Sequence, residues 1–339
     1  MQRNMRQWLE DLARSPEKKP LPILSFPAVQ LLGTTVEELI ADSAAQARGM
    51  ALVAQEVDDA AAVSLMDLSV EAECFGAQIR VSPGEVPTVV GRLVSTLEEA
   101  QALAVPPVGA ARSGLYIQAV RLAKEQIDDR PVLAGVIGPF SLAARLLDVS
   151  EALMACYDEP ELVEAVVEKA CQFLLAYCQA YKEAGADGVL LAEPVAGLLS
   201  PALVEEFSSP YVKRVVEAVQ DDSFLVLYHN CGGSALPALP SILSTGAAAY
   251  HFGNAVDMED ILRQVPVDTV VLGNIDPAGE FLNGTPASIR AATLSLLERC
   301  GSYPNFVLSS GCDIPPLAPW ENIHAFFAAA AEHAQKRGS

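Results

Sequence analysis

Short apolar runs recur along this chain, and most are followed by a stretch with the apolar spacing of an amphipathic helix. The runs are Pro22-Ile23-Leu24-Ser25-Phe26, Ala62-Val63-Ser64-Leu65-Met66, and residues 132–137, 188–191, 224–228, 248–252, 269–272 and 306–308, eight candidate strands in all. Amphipathic segments at 36–55, 161–184, 201–219, 258–264 and 286–299 lie between them. Strands that alternate with helices pair in parallel, because each connection must cross back over the sheet. Eight such units predict an α/β chain folded as a (β/α)8 TIM barrel. A doubly wound open sheet would alternate in the same way. The phosphate-binding glycine fingerprint that would favour it is missing after the first run, which continues Pro27-Ala28-Val29-Gln30.

The connection after the second run is long. Residues 71–130 read as an insertion: a β-hairpin near Ala77-Gln78-Ile79-Arg80-Val81, then added helices from 97 to 130. Residues 1–20 read as an N-terminal helical extension capping the barrel. No Gly-, Ser- or Pro-rich linker, repeat or low-complexity tract divides the chain, so residues 1–339 are expected to form a single barrel domain. The chain has 43 acidic against 22 basic residues, a formal charge of −21, which disfavours nucleic acid and anionic membranes as partners. The first residues lack a signal-peptide core, and no apolar run is long enough to span a bilayer. Seven cysteines without a dense pairing pattern fit a reducing compartment. These features together predict a cytoplasmic protein.

In a barrel of this kind chemistry sits at the C-terminal ends of the strands. His229 and Cys231 follow the run at 224–228, two residues apart, in Tyr228-His229-Asn230-Cys231-Gly232-Gly233. On extended backbone, residues i and i+2 share a face. Cys312 ends Leu308-Ser309-Ser310-Gly311-Cys312 and can bring a second sulfur to the same point. One imidazole and two thiolates suit Zn2+, and three protein ligands leave a position open for substrate. Gly232, Gly233 and Gly311 allow backbone to approach a ligand closely.

Other polar residues at strand ends carry more than one reading each. Glu193 is a fourth, displaceable ligand or a cap. His251 is a ligand, a partner of one, or a histidine satisfied in the core. Asn274 and Asp276 position a ligand or substrate, or Asp276 starts the turn at Pro277. Asp313 hydrogen-bonds a ligand or caps the next turn.

With these motifs the chain resembles the family of uroporphyrinogen decarboxylase and the corrinoid-dependent methyltransferases. The resemblance to the methyltransferase branch lies in His229-Asn230-Cys231-Gly232, Gly311-Cys312-Asp313-Ile314-Pro315-Pro316, Glu193-Pro194-Val195-Ala196 and the early Pro27-Ala28-Val29-Gln30-Leu31-Leu32-Gly33. It implies a zinc-dependent methyl transfer from methylcobalamin, a methyl-Co(III) corrinoid carried on a separate corrinoid protein, to a thiol such as coenzyme M. Coordination would ionise that thiol for attack on the methyl carbon.

Two alternatives remain within the resemblance: a tetrahydrofolate acceptor, as in bacterial O-demethylation, and a cofactor-free decarboxylase. The decarboxylase branch carries an Arg-Gln-Ala-Gly-Arg element that is absent here, since Arg3 and Arg6 precede the first run and the next arginine is Arg48. A non-catalytic corrinoid- or metal-binding barrel is a third possibility. No arginine stands out in the sequence as a partner for the acceptor's sulfonate.

Overall fold

The computed structural model describes residues 3–338. Seven strands form one parallel sheet: β1 (Ala62–Val63), β4 (Val132–Ile137), β5 (Gly188–Ala192), β6 (Leu225–Asn230), β7 (Ala249–Phe252), β8 (Val270–Ile275) and β9 (Phe306–Ser310). Each pairs with its sequence neighbour around the sheet, in the order β1-β4-β5-β6-β7-β8-β9. The missing numbers belong to β2 (Gln78–Arg80) and β3 (Thr88–Val90), an antiparallel hairpin set apart from the sheet. Most sheet residues are fully buried, as parallel strands covered on both faces must be.

The first expected strand behaves differently from the others. Residues 20–25 are buried and occupy the gap between the sheet's two edge strands, yet they form no regular ladder. Ala60 N–H donates to the Pro20 carbonyl at 2.8 Å, and Leu21 N–H donates to the Leu308 carbonyl at 2.9 Å. Ile23 N–H instead meets Ser310 Oγ at 3.0 Å. Pro20 and Pro22 have no N–H to give, so regular pairing is impossible there. The barrel is closed by a proline-interrupted seam in the place of an eighth strand.

The inner core follows period-two alternation. Leu190 and Ala192 of β5, Leu225 and Leu227 of β6, Ala249 of β7, Leu272 of β8 and Val307 of β9 pack together inside the barrel. Met5, Leu9 and Leu12 of the helix Met5–Arg14 join the same cluster, so this helix plugs the barrel's lower end. Its start is set by Asn4, whose side chain accepts from Gln7 N–H at 2.9 Å. Met1, Gln2 and Ser339, which the expected extension and domain limits included, lie outside the described residues. The complementary strand residues, such as Val189, Leu191, Val226 and Phe252, pack outward against the helices.

Residues 71–130 hold the hairpin, a short helix Leu97–Ala102 and the helix Ser113–Gln126. The last packs on Ser43–Glu56 and leads directly into β4, so it serves as the crossover between β1 and β4. Among the described residues no helix is long and apolar enough to cross a membrane.

Candidate metal centre

Continuing the inward alternation one step further reaches polar residues. After Leu225 and Leu227 comes His229; after Ala249 comes His251; after Val307 comes Ser309. The register places His229 beside His251. The upper layer of the barrel interior is therefore a polar chain resting on an apolar floor. All three residues are buried.

The hydrogen bonds of this chain run in one direction. Ser309 Oγ donates its one proton to the Leu21 carbonyl, at 2.6 Å. It must then accept from His251 Nε2, 2.8 Å away. Burial and the neighbouring His229 hold His251 well below the usual histidine pKa, so it is neutral and its Nδ1 carries a lone pair. His229 Nδ1, at 2.8 Å, donates to that lone pair. The remaining nitrogen, His229 Nε2, is left as an acceptor and lies 3.4 Å from Cys312 Sγ. A closing segment, a hydroxyl and one imidazole thus fix the tautomer of a second imidazole.

Cys231 follows β6 and Cys312 follows β9, and both are half-buried free thiols. The ligand atoms of His229, Cys231 and Cys312 all lie within 4.8 Å of one another. Tetrahedral zinc donors stand roughly 3.5 Å apart, so a small contraction would seat the ion. The two sulfurs also perturb each other's ionisation in opposite directions. The Cys312 thiol and then His229 hold Cys231 well below the ordinary thiol range, while the same contact and burial push Cys312 well above it. One sulfur thus ionises readily, and a bound cation would favour loss of the second proton. The donor set fits zinc.

Glycines allow this convergence at three places. A Cβ on Gly232 would meet Gly197 Cα at 2.3 Å, and one on Gly253 would meet Cys231 Cα at 2.6 Å. Gly311 is similarly crowded by Asn254, whereas Gly233 has open space around it.

The other polar residues are committed to holding the frame. Glu193 is fully buried and accepts from Phe140 N–H at 3.0 Å, Ser141 N–H at 2.9 Å and Ser141 Oγ at 2.6 Å. It therefore caps the helix Pro139–Leu147 from the neighbouring strand, and burial pushes its carboxyl up to about 7. Asn274 donates to the carbonyls of Gly253 and Val256, both at 2.9 Å, and so pins the loop behind Cys231. Asp276 accepts from Ala278 and Gly279 N–H, both at 2.9 Å, as the cap of the next turn. Asp313 accepts from Ser25 Oγ at 3.2 Å, and burial pushes its carboxyl well up.

A cavity of about 560 Å³ opens beside Asp313, lined also by Met66, Leu68, Arg145, Leu282 and residues 84–88 and 315–317. Ser309 and Arg145 carry no sequence signal of a site, because a serine in an apolar strand and an arginine on an amphipathic helix are both commonplace. Asp67 was within reach of the strand-end rule, directly after Met66. It accepts from Arg112 at 2.5 Å, Tyr116 at 2.7 Å and Ser69 Oγ at 2.5 Å.

The sequence profile described as Uroporphyrinogen decarboxylase (URO-D) matches residues 26–333. The chain belongs to the uroporphyrinogen decarboxylase family. Among URO-D relatives, the methylcobamide:CoM methyltransferase MtbA of Methanosarcina mazei is 29% identical over 329 residues, covering 93% of this chain and 94% of that protein. A uroporphyrinogen decarboxylase of Coxiella burnetii is 28% identical over 277 residues, covering 78% and 75%. A solved methyltransferase structure from Methanosarcina mazei superposes with a TM-score of 0.83 at 23% identity, covering 96% of this chain and 98% of that one. That likeness shows a shared fold.

Proposed function

We propose that this protein is a corrinoid-dependent methyltransferase that moves a methyl group from a methyl-Co(III) corrinoid to a thiol, with zinc held by His229, Cys231 and Cys312. The observation that carries this reading is the meeting of two thiols and one imidazole lone pair at the barrel mouth. Such a soft set suits zinc and has no role in a metal-free decarboxylation. Coverage of nearly the whole length of MtbA supports the same branch.

Zinc bound there would act as a Lewis acid that ionises an incoming thiol near neutral pH. Cys231 and Cys312, as thiolates, would offset the ion's charge and leave the substrate sulfur electron-rich. The His251–Ser309–Leu21 chain keeps the His229 lone pair aimed at the site. In the transfer the Co–C bond breaks with its electron pair left on cobalt as Co(I). Sulfur bonds the methyl carbon, and the thiol proton leaves to solvent. The corrinoid would arrive on a separate protein docking over the mouth.

The decarboxylase reading fits the cavity less well. A substrate with many carboxylates needs several cations, and Arg145 is the one basic residue among those lining it. The test is methyl transfer from methylcobalamin to a panel of thiols and to tetrahydrofolate, before and after chelation and zinc readdition. About one zinc per chain is expected, with thiol methylation lost on chelation and restored by zinc. Full activity without metal overturns the mechanism, and methylation of the folate alone moves the acceptor to the other class.

A further inference from the structure

The cavity beside Asp313 has no part in the metal centre. None of His229, Cys231 and Cys312 lines it, and its volume of about 560 Å³ is that of a pocket for a small organic molecule. One wall is the tip of the β2–β3 hairpin, residues 84–88, and another is the segment 315–317. The two walls meet at one edge, where a Cβ on Gly84 would stand 3.7 Å from Leu317 Cδ1. Met66, Leu68, Val86, Leu282, Pro315 and Leu317 make the surface mostly apolar. Such a surface favours an apolar body.

One cation interrupts it. Arg145 projects from the helix Pro139–Leu147 to line the cavity, and its Nε is buried with no hydrogen-bond partner. Among the described residues no carboxylate lies within ion-pair distance of it. Two other part-buried arginines are saturated, Arg112 by Asp67, Glu73 and Ser69, and Arg130 by Asp59, Asp129 and two backbone carbonyls. Burial pulls the Arg145 guanidinium below its ordinary range, and the charges of Glu71 and Asp67 offset this only in part. Both acids have other partners: Asp67 accepts from Tyr116 at 2.7 Å, and Glu71 accepts from Ile137 N–H at 3.0 Å. An arginine stays protonated in a protein, so this charge sits in a costly place that a bound anion would improve.

The charges on the wall restrict what that anion can be. Among the described residues Arg145 is the one basic group lining the cavity, while Asp313 and the exposed Glu85 are acids. One guanidinium matches one planar carboxylate through two parallel N–H···O bonds. A phosphate ester or a polyacid brings more charge than a single arginine neutralises.

We propose that this cavity is a second binding site, separate from the metal centre, for a monocarboxylic acid with an apolar body, its carboxylate paired with Arg145. The assignment does not depend on methyl transfer, so the two readings can fail separately.

The test is calorimetric titration of metal-free and zinc-loaded protein with benzoate, cyclohexanecarboxylate and octanoate, and with benzamide as the uncharged match to benzoate. At least one acid should saturate at one per chain in both forms of the protein, and benzamide should bind about tenfold more weakly than benzoate. Arg145→Gln should weaken the acids about tenfold and leave benzamide within about twofold. Arg145→Lys should recover part of the loss, because it restores the charge without the fork. Leu68→Trp, which fills the apolar part, should abolish binding of acid and amide alike with Arg145 in place. Zinc content equal to wild type in each variant separates a lost site from a lost fold. Failure of all three acids to saturate would overturn the proposal. So would acid binding indifferent to residue 145 or to Leu68→Trp, or benzamide binding as tightly as benzoate. Acid binding that disappears when zinc is loaded would put the ligand at the metal centre and overturn it as well.

Discussion

The two sides of the barrel mouth are built on opposite terms. On the β6–β9 side, the ligand atoms of His229, Cys231 and Cys312 converge to within 4.8 Å of one another. On the β1–β4 side, Asp67, Arg112, Tyr116, Ser69 and Glu73 satisfy one another within a closed network. Under the proposed function the first set is arranged for a metal ion, and the second is arranged for itself. Charged residues at a barrel mouth are therefore a poor guide to function by number. The useful distinction is whether each group's partners are internal. Arg145 and Glu71 are the exceptions on the closed side, each with one buried polar atom lacking a hydrogen-bond partner.

The largest expected effect tests the open side. Cys312→Ser replaces a soft thiolate donor with a hydroxyl that stays protonated, so metal analysis should find zinc largely lost. Methyl transfer should fall by roughly a hundredfold or more. Cys231→Ser should do the same, and wild-type activity in either variant would remove the metal from the mechanism. Asp67→Asn probes the closed side and should split the two regions cleanly. Breaking its contact with Arg112 should lower unfolding stability by about 3 kcal/mol, read by urea denaturation. Zinc content should stay at the wild-type level. Loss of zinc in this variant would mean that the two sides are not independent.

A smaller effect addresses the support of the ligand. His251→Phe removes the acceptor that holds His229 Nδ1–H, and Ser309→Ala removes the hydroxyl beneath it. Either should weaken zinc binding roughly tenfold to a hundredfold in competition with a chelator, with both sulfurs intact. Unchanged affinity would show that the tautomer is fixed by the metal alone.

The strand–helix rhythm and the polar strand ends are legible in sequence because both are local. Apolar runs at 132–137 and 306–308 read as strands and are β4 and β9, since each is buried on both faces. His229 and Cys231 share a motif, and their joint direction follows from extended backbone. What lies beyond reach is set by partners far away in the chain. Residues 20–25 look like any apolar run, and only their isolated hydrogen bonds to residues 60 and 308, with no continuous ladder, reveal a seam. Ser309 acquires its role from Leu21, 288 residues earlier. Glu193 looked equally like a ligand and a cap, and the helix it serves begins 54 residues before it, at Pro139. Arg145 is informative through what does not contact it, which no linear pattern records.

The smallest effect lies in the pH dependence of stability on the closed side. Glu71 is fully buried, with one oxygen accepting from Ile137 N–H and the other unpartnered, and burial pushes its carboxyl up to about 7. The ordinary glutamate value is 4.5, so between the two values the folded chain keeps a proton that the unfolded chain has released. The stability this gives is fully present below about 4.5 and is lost as the pH rises towards 7, with no further change above. Glu193 and Asp59 are also pushed up to about 7, and they slope the same way. Glu71→Gln holds a neutral amide at every pH, so it should remove one share of the slope and leave the rest. Urea unfolding at pH 5 and pH 8 should show the gap between the two conditions narrowed by about 1–2 kcal/mol relative to wild type. An unchanged gap would mean that the Glu71 carboxyl is not raised in the folded chain, its bond from Ile137 N–H and the charge of Arg145 offsetting burial.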